Sequence, residues 1–133
     1  MKCERVEPPD WAKPRGYSNG VRVEGASALV FVAGQIGWDA SQRLVGPDFV
    51  AQFDRALRNV VAVIEAAGGR PEHVVRMTVY VTDKEQYRAQ QKQIGAVWRE
   101  VLGRTYPAMA LIEVAGLLEP GAVVEIEATA AIA

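Results

Sequence analysis

"YPAMALIEVAGLLEPGAVVEIEATA", Tyr106 to Ala130, decides how this chain folds. Two apolar runs flank the turn dipeptide Pro120-Gly121, the pattern of two extended segments joined by a loop. In the second run Val123, Glu125, Glu127 and Thr129 fall on one face, and Val124, Ile126, Ala128, Ala130 and Ile132 on the other. Such period-two alternation marks a strand with one buried face. Glu113, Glu125 and Glu127 interrupt these runs, yet the stretch holds no Lys or Arg to answer them. Residues two apart on a strand are separated by about 6.6 Å, so Glu125 and Glu127 are near neighbours. Two readings follow from the pattern. Either the pair is a solvated edge that discourages aggregation, or one Glu sits at a subunit interface, tuned by desolvation as a general acid/base or water-holding group.

Working outward, "HVVRMTVYVT" reads as the strongest strand, with Val75, Met77, Val79 and Val81 on one face and Arg76, Thr78 and Tyr80 on the other. Asp83 is an N-cap for a helix, with Gln86 as its capping-box partner. Tyr87, Ile94, Val97, Trp98 and Val101 form that helix's buried side, and Gly103 ends it. Upstream, Phe49, Phe53, Leu57, Val60, Val61 and Ile64 recur at three and four residues after Pro47-Asp48, the stripe of an amphipathic helix closed by Gly68-Gly69. Val21–Val23 and Leu29–Ile36 read as extended, and the first sixteen residues, rich in Pro and charge, as a lead-in without an element. The order β-β(-β)-α-β-α-β-β predicts one α+β domain over residues 1–133, with two helices covering one face of a mixed sheet. Strands with apolar residues on both faces predict that the open face is covered by another subunit of a homo-oligomer.

Composition narrows the function. A formal charge of −1 argues against a nucleic-acid partner, which calls for a surplus of Lys and Arg. The single cysteine, Cys3, excludes an internal disulfide and suits a reducing cytoplasm. No apolar run approaches the roughly 20 residues of a membrane span, so no membrane partner is expected. His73 is the only histidine and lacks companions for a metal site or a triad. No Walker loop or dinucleotide fingerprint is present. Trp98 belongs to the helix stripe, whereas Trp38, beside a Gly-rich turn, is a candidate pocket wall.

These segments together resemble the RidA/YjgF family of reactive-intermediate deaminases. "GYSNGV" (Gly16 to Val21) resembles its N-terminal Gly-x-Tyr region, and "FVAGQIGWD" (Phe31 to Asp39) its Ser-Gly-Gln-Ile strand. "VVRMTVYVTD" (Val74 to Asp83) resembles its central strand, and "YPAMALIEVAGL…VVEIEATA" its closing signature. The resemblance implies a chorismate-mutase-like α+β fold, a homotrimer with clefts between subunits, and hydrolysis of small imines and enamines without a metal or cofactor. It implies Glu125 as the residue that positions the attacking water and Tyr17 as the hydroxyl that helps close the cleft. Gly34 and Gln35 correspond to the family's Gly-Gln pair, with Ala33 where Ser is frequent. An ungapped count places Lys92 where many members have Asn.

The chain departs from the pattern at Met109, where the family's Pro-Ala-Arg places an arginine that clamps the substrate carboxylate. A thioether removes that contact and offers an adaptable apolar wall. The departure points away from the archetypal 2-imino acids, toward a less acidic substrate or an anion held elsewhere, by Lys92 or Arg76. The alternative is a non-catalytic trimer that binds a small molecule or protein. RNA cleavage, also linked to the family, conflicts with the charge balance.

Overall fold

The computed structural model describes all residues, Met1 to Ala133. Strands β1 (Lys2–Val6) and β2 (Gly20–Glu24) form an antiparallel two-stranded ribbon. Strand β3 (Ala28–Ile36) leads to helix α1 (Phe49–Ala66), then β4 (Val74–Val81), helices α2 (Lys84–Ala89) and α3 (Gln91–Val101), and strands β5 (Ala108–Glu113) and β6 (Val124–Ile132). The main sheet has the order β3-β6-β4-β5, with β4 and β5 parallel and the other pairs antiparallel. The fold is the expected α+β class, with a mixed sheet and helices on one face.

Periodicity reads directly into packing. Phe49, Phe53, Ala56, Leu57, Val60, Val61 and Ile64 of α1 are buried against Val32, Met77, Val79, Val81, Val124, Ile126, Ala128 and Ala130 of the sheet. Asp48 caps α1 by accepting from the Ala51 N–H at 2.8 Å. At the other end Gly68, at φ +87°, turns the chain so that its N–H reaches Glu65 O and that of Gly69 reaches Ile64 O. That left-handed Schellman ending is what the Gly-Gly pair predicts.

Four expectations are corrected. The lead-in contains β1, which alternation could not reveal because it is exposed on both sides and is held by its backbone ladder to β2. In β4 a bulge between Val74 and Arg76 brings Val74, rather than Val75, onto the core face. The second helix is two helices, broken at Gln90: its N–H reaches Tyr87 O, while its side-chain Nε2 takes over Gln86 O at 3.2 Å. Asp83 does cap α2 through the Glu85 N–H, but the second capping acceptor is Glu113 from β5, which receives the Lys84 N–H at 3.1 Å. No reciprocal capping bond from the Gln86 side chain forms.

One polar side chain lies wholly inside. Gln52 is fully buried, and its Nε2 donates to Gly46 O at 2.8 Å and Gly121 O at 2.9 Å, while its Oε1 accepts from Val123 N at 2.9 Å. Gln52→Met preserves length while orphaning two carbonyls and an N–H, each costing about 1–3 kcal/mol. We expect a loss of roughly 2–5 kcal/mol in urea unfolding at fixed protein concentration. A midpoint matching the parent would show that the node carries no stability.

Candidate functional site

The three carboxylates of the opening stretch meet three different fates. Glu113 receives the helix-start N–H of Lys84. Glu127 receives the Tyr80 hydroxyl at 2.5 Å from the adjacent strand. Glu125 has no hydrogen-bond or ion-pair partner at all. It is half-buried on the helix-free face, beside Tyr80 in the strand register.

What Glu125 does touch is Gly34. A Cβ built on Gly34 would lie 2.6 Å from Glu125 Oε2 and 2.7 Å from its Cδ, so the carboxylate rests directly over this backbone. The register shifts between Val32 and Gln35, a bulge that leaves Ala33 and Gly34 out of the ladder and sets Gly34 under Glu125. Gln35 turns its Nε2 back onto Ala33 O at 3.1 Å. The predicted Gly34 and Glu125 are thus brought together at one edge of the open face, whereas Gln35 is registered opposite the core residue Ile126.

Met109 is elsewhere. Paired with Met77 in the parallel β4–β5 ladder, it packs toward the helices and lines a groove of about 390 Å³. Tyr87, Gln91, Ile94 and Trp98 supply the helical wall, and Tyr106 precedes β5 on the other side. The groove is completed by Arg15 and Gly16. Their segment is docked on β5 by Ser18, whose N–H reaches Pro107 O at 3.0 Å and whose hydroxyl reaches Tyr106 O. Tyr17 itself is exposed and outside this wall, its carbonyl accepting from Arg5 Nη2. Within this chain, therefore, Glu125 and Met109 lie on opposite faces of the sheet.

Helix register decides another expectation. Gln91 lines the groove, whereas Lys92, one residue on, is exposed and does not. Arg76, the other proposed anchor, is on the open face, in a hollow with Phe31, Thr78 and Glu127. His73 is structural: its Nδ1 accepts the Arg70 N–H at 2.9 Å. Trp38 is tied to the turn, its carbonyl accepting from Asn59 Nδ2 at 2.8 Å. The residues missed by sequence reasoning are Arg15, Gln91 and Arg99, all in the groove wall. The i,i+4 spacing from Gln91 through Gly95 to Arg99 was the available signal.

Two outcomes test this geometry. Gly34→Ala should leave the melting temperature within about 2 °C of the parent, because the clash is with the flexible end of Glu125 rather than with backbone; any Glu125-dependent turnover should fall at least tenfold. A large loss of stability would place the constraint in the backbone instead. Separately, the hydrogen bond to Glu127, followed by desolvation, raises the Tyr80 hydroxyl above its ordinary value. A raised folded value means the bond's contribution is complete below the unfolded value near 10 and is lost as pH rises through the folded one. In an ultraviolet tyrosinate titration, Tyr80→Phe should remove one late-ionising group, leaving Tyr87, which burial also raises.

Comparison with known proteins fits this architecture. The family model described as endoribonuclease L-PSP matches residues 11–132. The protein DfrA of Myxococcus xanthus is 38% identical over 119 residues, covering 86% of this chain and 83% of its own. The 2-iminobutanoate/2-iminopropanoate deaminase of Capra hircus is 34% identical over 115 residues, covering 86% and 78%. In structure, the Rid-family protein YyfB of Yersinia pestis superposes with a TM-score of 0.84 at 33% identity, over 99% of this chain and 100% of its own. With its fold and nearly its whole length matched, the chain belongs to the RidA/YjgF family, the endoribonuclease L-PSP family of that model.

Proposed function

We propose that this protein is a cofactor-free hydrolase of a small imine or enamine, working in clefts of a homotrimer between the Met109 groove of one protomer and the Gly34–Glu125 edge of the next. The observation that carries the reading is Glu125: of the three carboxylates in the closing strands, it alone has no donor. A half-buried carboxylate without a partner is available to hold water. The relatives named as 2-iminobutanoate/2-iminopropanoate deaminases support the reaction class. The assembly is supported by the open sheet face, where Leu29, Phe31 and Ile112 are exposed at 56%, 76% and 43%.

In this reaction water adds to the imine carbon while Glu125 orients it and takes its proton. The C=N π pair moves to nitrogen, which is protonated. Glu125 supplies that proton to nitrogen, then relays the carbinolamine hydroxyl's proton to the amine as C=O forms and the C–N bond breaks, so that a carbonyl compound and ammonia leave and the carboxylate is regenerated. An enamine first takes a proton at carbon to become the imine. No electron donor or acceptor is needed.

Met109 shapes the substrate range. A bidentate arginine contact is replaced by a polarizable apolar wall, which disfavours the shortest imino acids and leaves room for bulk. The same substitution favours a second reading, a binding protein that has lost its clamp. Turnover separates the two. With imines generated in situ, the parent should exceed the spontaneous rate. Glu125→Gln should cost about 10²–10⁴-fold, and Met109→Arg should raise activity on 2-iminopropanoate. A parent rate equal to the spontaneous one, unchanged in Met109→Arg, would favour the binding protein. Analytical ultracentrifugation reads the assembly, and a monomer would overturn the shared cleft.

A further inference from the structure

The groove beside Met109 holds two positive charges, Arg15 and Arg99, and no Asp or Glu among its lining residues. Five of the eleven arginines form ion pairs, four of them away from the groove: Arg22 with Glu24, Arg58 with Asp54 and Glu100, Arg70 with Glu72, and Arg88 with Glu85. Arg5, near the same groove, is engaged with Glu7 at 3.6 Å and stands 5.9 Å from the Tyr106 ring centre. Arg15 and Arg99 enter no ion pair and no side-chain hydrogen bond. Glu100, adjacent to Arg99 in sequence, is turned away to Arg58 at 3.0 Å.

Local sequence holds Arg99 in place. A Cβ on Gly95 would lie 3.4 Å from Arg99 Nη1, so the guanidinium lies back along α3 over the glycine one turn earlier. Glycine within a helix is otherwise a destabilising choice. Here it leaves the surface open for the arginine to lie on. The remaining walls are apolar. Trp98 spends its indole N–H on Thr105 O at 3.0 Å, so it offers the groove ring surface alone. Tyr87, Tyr106 and Met109 add to that surface. The volume, about 390 Å³, falls in the range of small-molecule sites.

We infer that Arg99, with Arg15, forms the anion-binding end of this groove and selects a small carboxylate carried on a flat apolar body. A guanidinium is weakly hydrated and matches a carboxylate in the plane of its fork, and the aromatic walls reward a planar body. The inference rests on the hydrolase reading only in taking this groove as the substrate's seat; the anion site itself rests on the charges and walls. The cation missing at position 109 is thereby supplied from a helix surface and a docked loop. The acid is anchored farther from the strand, with an apolar body between anchor and sheet.

Calorimetric titration of the intact protein with phenylacetate, 2-phenylacetamide and acetate tests this. Phenylacetate should bind at least tenfold more tightly than either the neutral amide or the bare acid, and its affinity should fall with added salt. Arg99→Gln and Arg15→Gln should each weaken phenylacetate at least fivefold without changing the amide. Arg99→Lys, with the circular dichroism of the parent, should recover part of the loss. Equal binding of acid and amide, or undiminished acid binding in both glutamine variants, would overturn the anion site. Its fate is separable from that of the hydrolase. Acid selectivity in a protein without imine turnover sustains the site alone. Turnover indifferent to both arginines and to competing phenylacetate sinks the site while sustaining the hydrolase.

Discussion

The arrangement depends on one buried amide. Gln52 sits where α1 comes closest to β3: a Cβ on Gly37 would fall 2.6 Å from the Gln52 Cα. Its side chain then ties Gly46, ahead of α1, to Gly121 and Val123, ahead of β6. A buried polar group is tolerated only when its donors and acceptors are met, and this one is met on both sides. Gly34 lies three residues before Gly37, and Glu125 two residues after Val123. The two halves of the carboxylate edge therefore extend from the two arms of a single joint. Their approach, close enough that a side chain at position 34 would displace the Glu125 carboxylate, follows from how that joint fixes β3 and β6 against α1.

The missing cation of the closing strands has a plain electrostatic explanation. A carboxylate in a sheet needs donors, not necessarily charge. Glu113 uses the unpaired N–H at a helix start, a favourable place for negative charge. Glu127 uses a phenol. Both partners are distant in sequence, 29 and 47 residues away, so the stretch read by itself shows three unanswered acids where the fold has only one.

What the sequence revealed, it revealed through one-sided burial. The α1 stripe and the β6 alternation are legible because each element faces the core along one side, which imposes a period on composition. β1 has no buried side and so left no trace. The bulges at Val75 and at Ala33–Gly34 change the facing of single residues without disturbing the surrounding pattern. The helix break at Gln90 exchanges a backbone bond for a side-chain bond at no cost in composition. The Gly34–Glu125 edge was reached through family resemblance and then gained its physical basis in contact distance. The groove was beyond a linear reading, since Arg15, Gln91, Arg99 and Met109 converge from a loop, a helix and a strand.

Separating the acid from the groove has a chemical consequence. A carboxylate meant to take a proton from water is weakened as a base when a guanidinium lies beside it, because the cation stabilises its charged form. Within a single chain the β4–β6 sheet stands between Glu125 and the two arginines. In the proposed trimer they meet across a subunit boundary, with the substrate between them. Moving the cation from a strand position to the surface of α3 extends that logic. A guanidinium at position 109 would project from a strand fixed by its ladder, whereas Arg99 and Arg15 stand back on a helix and a docked loop. The acid group of the substrate is then drawn away from the sheet, and the space left over Met109 is filled by apolar bulk. The length and shape of that bulk, together with the charge held at the arginine end, become what the site discriminates.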